Sequence, residues 1–306
     1  MANIFVVGDG AIGLLYSHYL SQQHRVTLLT KHAIDEPRFY QQANAPKQTI
    51  NCQLTNLTQL SEHGQVDVII FTVKAYQVAT AFRQLKPFLS AQCQLILSHN
   101  GMGNVDEINS ELTKQQGLYF LTTRLAGYKD APFSVLHTGI GSSILGDCNQ
   151  QAKTQLAEVK NLLNAIPELT TTNNIQQLRF EKLLVNIAIN PLSALHNVKN
   201  GALNAPQFSG IILNILNEAC TVANKLGINV RLAEALANAY QVMSNTKNNY
   251  SSMHQDVAHN RITEIDAMCG YICQKGNQLG INTPHNQSLL DAIRHKKKRD
   301  LTRACY

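Results

Sequence analysis

No C-x-x-C pair occurs among the seven cysteines of this chain. An odd, dispersed set argues against a disulfide framework and for reduced thiols in a cytoplasmic protein. Cys220, Cys269 and Cys273 are expected to pack as small apolar residues. No tight His/Cys cluster suggests a metal, so none is expected. No apolar run approaches the length of a membrane span, and no membrane partner is expected. The chain runs almost at once into an apolar strand, with no basic region or cleavage site, so no signal peptide is expected. There is no solenoid-type repeat. Acidic residues are fewer than basic ones, 20 against 26, and the formal charge is +6. Part of that charge sits in the run RHKKKRD (294–300), expected to be a solvated helix end before a frayed tail. No aromatics interleave with the basic residues in a stripe, so small anions such as dinucleotides and carboxylates are expected as partners, and nucleic acid is not.

What is present is a folded chain: 306 residues, 44% hydrophobic and 15% charged. That length holds one large or two ordinary domains. The opening NIFVVGDGAIGLLYSHYL (3–20) reads as strand, glycine turn and helix. Its glycines stand at 8, 10 and 13, the G-x-G-x-x-G spacing. Gly8 permits the tight turn, Gly10 lets the backbone approach a pyrophosphate, and Gly13 lets the helix lie close on the strand. The helix start presents free N–H groups to phosphates. The turn residues Gly8, Asp9, Gly10, Ala11, Ile12 and Gly13 are therefore cofactor candidates. The pattern alone is weak; its place between an apolar strand and an apolar-periodic helix is the context it requires.

The second strand, RVTLLT (25–30), ends in Thr30 and Lys31 where NAD-binding proteins usually place an acidic residue. An ammonium attracts a ribose 2′-phosphate and a carboxylate repels it. Lys31 thus points to NADP(H), although an ordinary surface lysine would read the same way. VDVIIFTVK (66–74) is a strand apolar throughout, ending at Lys74 on the edge where ligands bind. CQLILSHNGMGN (93–104) is another. Its Asn100 is placed either to bond a substrate or the nicotinamide ribose, or merely to shape the turn. YFLTTRLAGYKD (119–130) and FSVLHTGIGSSILGD (133–147) are expected to extend the sheet.

Beyond about residue 173 helical periodicity takes over, with helices expected over 175–197, 206–226, 231–243 and 256–279. The architecture expected is α/β: a Rossmann-type dinucleotide-binding domain over 1–172, then an all-helical domain over 173–306. In the first helix, Lys182, Asn186 and Asn190 recur at steps of four and drift only about 80° around the axis. Pro191 removes the N–H due to the Ile187 carbonyl, so a kink is expected there. Buried amines and amides are costly unless satisfied. Such a row suggests a ligand cleft or an interdomain seam, or else a polar interface with no chemistry. An ammonium there suits ketone reduction, because hydride addition builds charge on the oxygen. A second polar cluster is SSMHQDVAHNRITEID (251–266). Ser251 and Ser252 precede a helix and read equally as caps. Glu264 is placed to pair with a lysine and set its pKa.

These stretches together resemble the ketopantoate reductase (2-dehydropantoate 2-reductase) family over nearly the whole length. The resemblance rests on GDGAIG (8–13), TVKAYQ (72–77), HNGMG (99–103), HTGIGSSILGD (137–147), KLLVNIAINPLSAL (182–195), SSMHQD (251–256) and RITEID (261–266). It implies NADPH-dependent reduction of 2-dehydropantoate to pantoate, in pantothenate and coenzyme A biosynthesis. It implies Lys182 as the catalytic lysine and Asn186, Asn190 and Ser252 as substrate-binding residues. Asn100 and Glu264 would complete the site at the cofactor end, and Lys74 would touch the cofactor near the adenosine or bridging phosphates. Two departures stand out: Lys31 where the family often has arginine, and RLAGYKDA (124–131) after the Thr-Thr pair. The competing readings are an NADP-dependent reductase of another 2-keto or 3-hydroxy acid, and an NADP-sensing protein without activity. Monomer and homodimer both stay open.

Overall fold

The computed structural model describes residues 1–31, 36–62 and 64–303, with side chains at 61–62 and 297–303 outside the description. The chain divides into two compact units. One comprises Met1–His99 with Asn104–Ile175; the other comprises Asn100–Gly103 with the chain from Gln176 onward.

In chain order the first unit carries β1 (Asn3–Val7), α1 (Ala11–Leu20), β2 (Arg25–Leu29), β3 (Phe39–Gln42), β4 (Gln48–Thr49) and β5 (Gln53–Thr55). There follow β6 (Val68–Phe71), α2 (Ala75–Leu85), β7 (Gln94–Leu97), α3 (Asn104–Asn109) and β8 (Leu118–Thr123). It ends with β9 (Ala126–Ala131), β10 (Ser134–Gly139), β11 (Ser143–Asp147), α4 (Gln150–Leu162) and β12 (Leu169–Thr172). Among the described residues an eight-stranded sheet runs β12-β11-β8-β7-β6-β1-β2-β5. From β8 to β5 the pairs are parallel; β11 meets β8 antiparallel. Successive β1 residues serve opposite cores. Ile4 and Val6 join Leu14 and Leu15 of α1, while Phe5 and Val7 join Val78 and Phe82 of α2. Burial on both faces explains why β6 (VIIF) is wholly apolar. Between β1 and β6 the strand order reverses, and the carboxyl ends there are where such sheets bind ligands.

One expectation is corrected by the sheet order. Segments 119–130 and 133–147 do not simply extend the main sheet. Each splits: β8 and β11 stay in it, while β9 and β10 enter a second, four-stranded sheet ordered β4-β3-β10-β9. The chain changes sheets at a close backbone approach and at a bond between backbone and side chain. A Cβ on Gly141 would lie 2.6 Å from the Arg124 carbonyl, and Thr123 Oγ1 accepts from Leu125 N–H at 3.0 Å. Alternating strand residues read alike in either sheet.

The second unit carries α5 (Ile175–His196), α6 (Ser209–Lys225), α7 (Leu232–Asn245), α8 (Ser252–Ala258), α9 (Cys269–Gln278) and α10 (Pro284–Arg303). Helix α5 starts in the first unit and continues through Pro191 to His196. The helix expected over 256–279 is two helices. Asn260 takes a left-handed φ of +54°. Arg261 then donates its N–H to the Asp256 carbonyl at 2.7 Å and its guanidinium to the buried Asp256 carboxylate at 3.1 Å. Those bonds end α8 and lead the chain into a loop, so Glu264 lies between helices rather than on one. Of the basic run, Lys296 donates to the carbonyls of Ala194 and Leu195 at the end of α5. The side chains from Lys297 onward, and residues 304–306, lie outside the described residues.

Candidate active site

At the end of β1 the chain turns at Gly8, whose φ of +107° favours glycine. Gly8 N–H donates to the Leu29 carbonyl at 3.0 Å. Thr72 Oγ1 donates between the carbonyls of Val7 (2.9 Å) and Gly8 (3.1 Å), which ties the exit of β6 to the turn. A Cβ on Gly13 would lie 2.0 Å from the Gly8 carbonyl oxygen, so α1 can cross β1 only with glycine there. At Gly10 a Cβ would meet no atom within 4 Å. No protein neighbour demands glycine at that point, and the backbone is open to close approach. Gly10 is also the N-cap of α1, with no side-chain cap and no acidic residue in the first turn. The N–H groups of the first turn therefore keep the partial positive charge of a helix start. This glycine-shaped cradle fits the pyrophosphate of a dinucleotide. Asp9 is turned aside and accepts from Lys129 Nζ at 3.0 Å.

Lys31 is exposed just past β2, and Lys74 is half-buried at the start of α2. Lys74 N–H donates to Gln77 Oε1 at 3.3 Å. Both lie at carboxyl ends of strands flanking β1, on the same sheet edge as the glycine turn.

In the second unit, α5 buries Phe180, Leu183, Leu184 and Ile187 in its core. On the seam, Lys182 and Asn186 are half-buried and Asn190 is buried. Asn190 Nδ2 reaches Met268 Sδ at 3.9 Å, and the Asn190 carbonyl accepts from Ser251 Oγ at 3.4 Å. Ser251 also accepts from His254 N–H at 3.1 Å, so it is the N-cap of α8. Ser252 is the exposed first residue of that helix. The two serines thus part company, with the capping role held by Ser251.

Asn100 belongs to the second unit, although most of its neighbours in sequence belong to the first. Its Nδ2 donates to Oε2 of the buried Glu264 at 3.4 Å. The backbone brings this about. Gly101, at φ +85°, packs so that a Cβ would lie 2.5 Å from the Ala267 carbonyl, and Met102 N–H donates to that carbonyl at 2.8 Å. Arg179, one turn before Lys182 on α5, donates to the Gly101 carbonyl at 3.3 Å. Sequence reasoning missed Arg179, Ala267 and Met268. The signals available were a buried arginine on an apolar helix and two glycines flanking Met102.

Burial pushes Cys220 up to about 11 and Cys93 up to about 12, and raises Cys269 further, so these thiols stay protonated. Among the described residues no group of three or more His, Cys, Asp or Glu is placed to hold a metal, and no helix is long and apolar enough to cross a membrane.

Known proteins resemble this chain in sequence and in fold. The pattern of the ketopantoate reductase PanE/ApbA family matches residues 4–150, and that of the family's C-terminal part matches residues 174–297. A curated 2-dehydropantoate 2-reductase of Vibrio cholerae serotype O1 is 40% identical over 296 residues, covering 95% of this chain and 97% of its own. In fold, the ternary structure of D-mandelate dehydrogenase with NADH and anilino(oxo)acetate superimposes with a TM-score of 0.90 at 23% identity, over 97% and 98% of the two chains. A ketopantoate reductase from Ralstonia eutropha JMP134 does so with 0.87 at 23%, over 97% and 99%. The family match and the curated relatives, not the fold, define the class as an oxidoreductase. Within that class, the chain belongs to the ketopantoate reductase family.

Proposed function

We propose that this chain reduces 2-dehydropantoate to pantoate with NADPH, in the cytoplasm, as a step of pantothenate and coenzyme A biosynthesis. The observation that carries this reading is the lysine–amide seam of α5 in the same unit as the Asn100–Glu264 pair. It gains weight from a 40% identical relative that bears the name of this activity. When bound, the nicotinamide dinucleotide supplies the hydride. All other tasks fall to the chain's own backbone and side chains. Lys182 holds its ammonium toward the keto oxygen, stabilises the charge that grows there, and gives the proton that completes the hydroxyl. Asn186, Asn190 and Ser252 bond the carboxylate and hydroxyl of the keto acid, since amides and hydroxyls both donate and accept. Asn100 and Glu264 hold the substrate and the nicotinamide end of the cofactor. The glycine turn takes the pyrophosphate, Lys74 the adenosine or bridging phosphates, and Lys31 the 2′-phosphate.

The deciding experiment is a steady-state assay of NADPH oxidation with 2-dehydropantoate, run beside pyruvate and 2-oxoisovalerate. The expected result is the highest kcat/KM for 2-dehydropantoate. A higher value for either other acid would replace the substrate while leaving the class intact.

A further inference from the structure

Lys129, on the edge strand β9, carries no motif, yet its Nζ lies 3.0 Å from Asp9 inside the phosphate turn. Four local features hold it there. Gly127, two residues earlier on the same strand face, lets β9 lie close on β10; a Cβ there would lie 3.0 Å from the Leu136 carbonyl and 3.2 Å from Val135 Cγ2. The register of β9 against β10 slips at Asp130, since Ser134 faces Ala131 and Val135 faces Lys129. Such bulges re-aim neighbouring side chains. The hairpin then closes through Pro132 and Phe133, and Phe133 takes a φ of +53°, where glycine is usual. Finally, the buried Phe133 ring lies 5.8 Å from Lys129 Nζ, a cation–π distance. Backbone irregularities of this kind concentrate at working sites.

Asp9 makes this placement consequential. A carboxylate beside an open helix start is drawn to its partial positive charge and competes there with a phosphate. It also repels a phosphate by simple Coulomb interaction. In this turn the carboxylate is bound by Lys129 instead, and α1 has no side-chain cap. We propose that Lys129 is a cofactor-affinity residue of this chain, an ammonium fixed by Asp9 and Phe133 that adds positive charge for the dinucleotide pyrophosphate and holds Asp9 away from it. This rests on dinucleotide binding at the glycine turn.

The test is direct binding, by nicotinamide fluorescence for NADPH and by calorimetry for ADP-ribose, which has the pyrophosphate but no 2′-phosphate. Wild-type protein that binds neither would defeat the dinucleotide reading itself. If it binds them, Lys129→Met is expected to weaken both by about tenfold or more, the usual scale for a charged hydrogen-bond partner. Asp9→Asn alone removes the carboxylate that repels the pyrophosphate and should bind both ligands more tightly than wild type. Asp9→Asn with Lys129→Met should regain the part of the loss that is due to Asp9. Lys31→Met should weaken NADPH and leave ADP-ribose unchanged. The inference is overturned if Lys129→Met binds both ligands within about twofold of wild type, or if the double variant regains nothing. A tenfold loss in Asp9→Asn would overturn it too, and that variant does not depend on how well Lys129→Met folds.

Discussion

The glycine turn of the first unit and the polar seam of α5 in the second are built by opposite means. The turn is made of backbone. Its working groups are N–H donors at a helix start, and side chains enter mainly by being absent at Gly8, Gly10 and Gly13. The seam is made of side chains on a helix whose other face is core. A backbone site depends on the packing that holds the chain in position. A side-chain site depends on single residues, each of which can be removed while the helix stays. Four expected outcomes test that contrast.

The largest effect belongs to the seam. Lys182→Ala is expected to lower kcat by about 10²–10³, the cost of losing an oxyanion-stabilising donor, with proton transfer lost as well. NADPH binding, followed by fluorescence, should stay near that of wild type. Nearly full kcat in the variant would make the seam structural. Next comes the packing behind α1. His18 of α1 stacks on Tyr40 at 3.7 Å. Tyr19 and Tyr40 hydroxyls lie 3.1 and 3.0 Å from His137 Nδ1, and His137 Nε2 lies 2.9 Å from the Gly139 carbonyl. A carbonyl only accepts, so Nε2 donates to it; Nδ1 has one lone pair for one of the two phenols, whose hydroxyls lie 3.3 Å apart. Burial, with His137 close by, lowers His18 from 6.5 to about 4. The unfolded chain therefore binds a proton that the folded chain refuses. Stability should be full above pH 6.5 and fall as pH drops toward 4, by on the order of 3 kcal/mol. His18→Phe should flatten that slope in denaturant melts between pH 7 and 4; an unchanged slope would remove His18 as its source.

Smaller is the coenzyme preference. Lys31→Asp is expected to shrink the NADPH-over-NADH ratio of kcat/KM by about tenfold to a hundredfold. A wild-type enzyme indifferent to the two coenzymes would refute the role of Lys31. Smallest, and sharpest for the second unit, is the serine pair. Ser252→Ala should raise KM for the keto acid by about tenfold with KM for NADPH barely moved. Ser251→Ala should instead cost about 1 kcal/mol of stability through the lost cap. If Ser252→Ala lowered Tm and left KM alone, the roles of the two serines would be reversed.

The sequence by itself determined what near neighbours decide. The glycine turn was legible because φ at Gly8 and the clearance at Gly13 are set within a few residues. The apolar strands showed in their composition, and the row of Lys182, Asn186 and Asn190 followed from helical period alone. Even the end of α8 left a local trace, in Asn260 and the Asp256–Arg261 spacing, though apolar periodicity masked it. Only the tertiary structure decided which sheet β9 and β10 join, because alternating residues suit either one. It decided that Asn100–Gly103 packs with Ala267, so that Asn100 meets Glu264 across 164 positions. It also decided that Lys129 of β9 reaches Asp9 across 120. Contacts at such separations come from how packed elements close the chain on itself, and residue spacing carries no record of that.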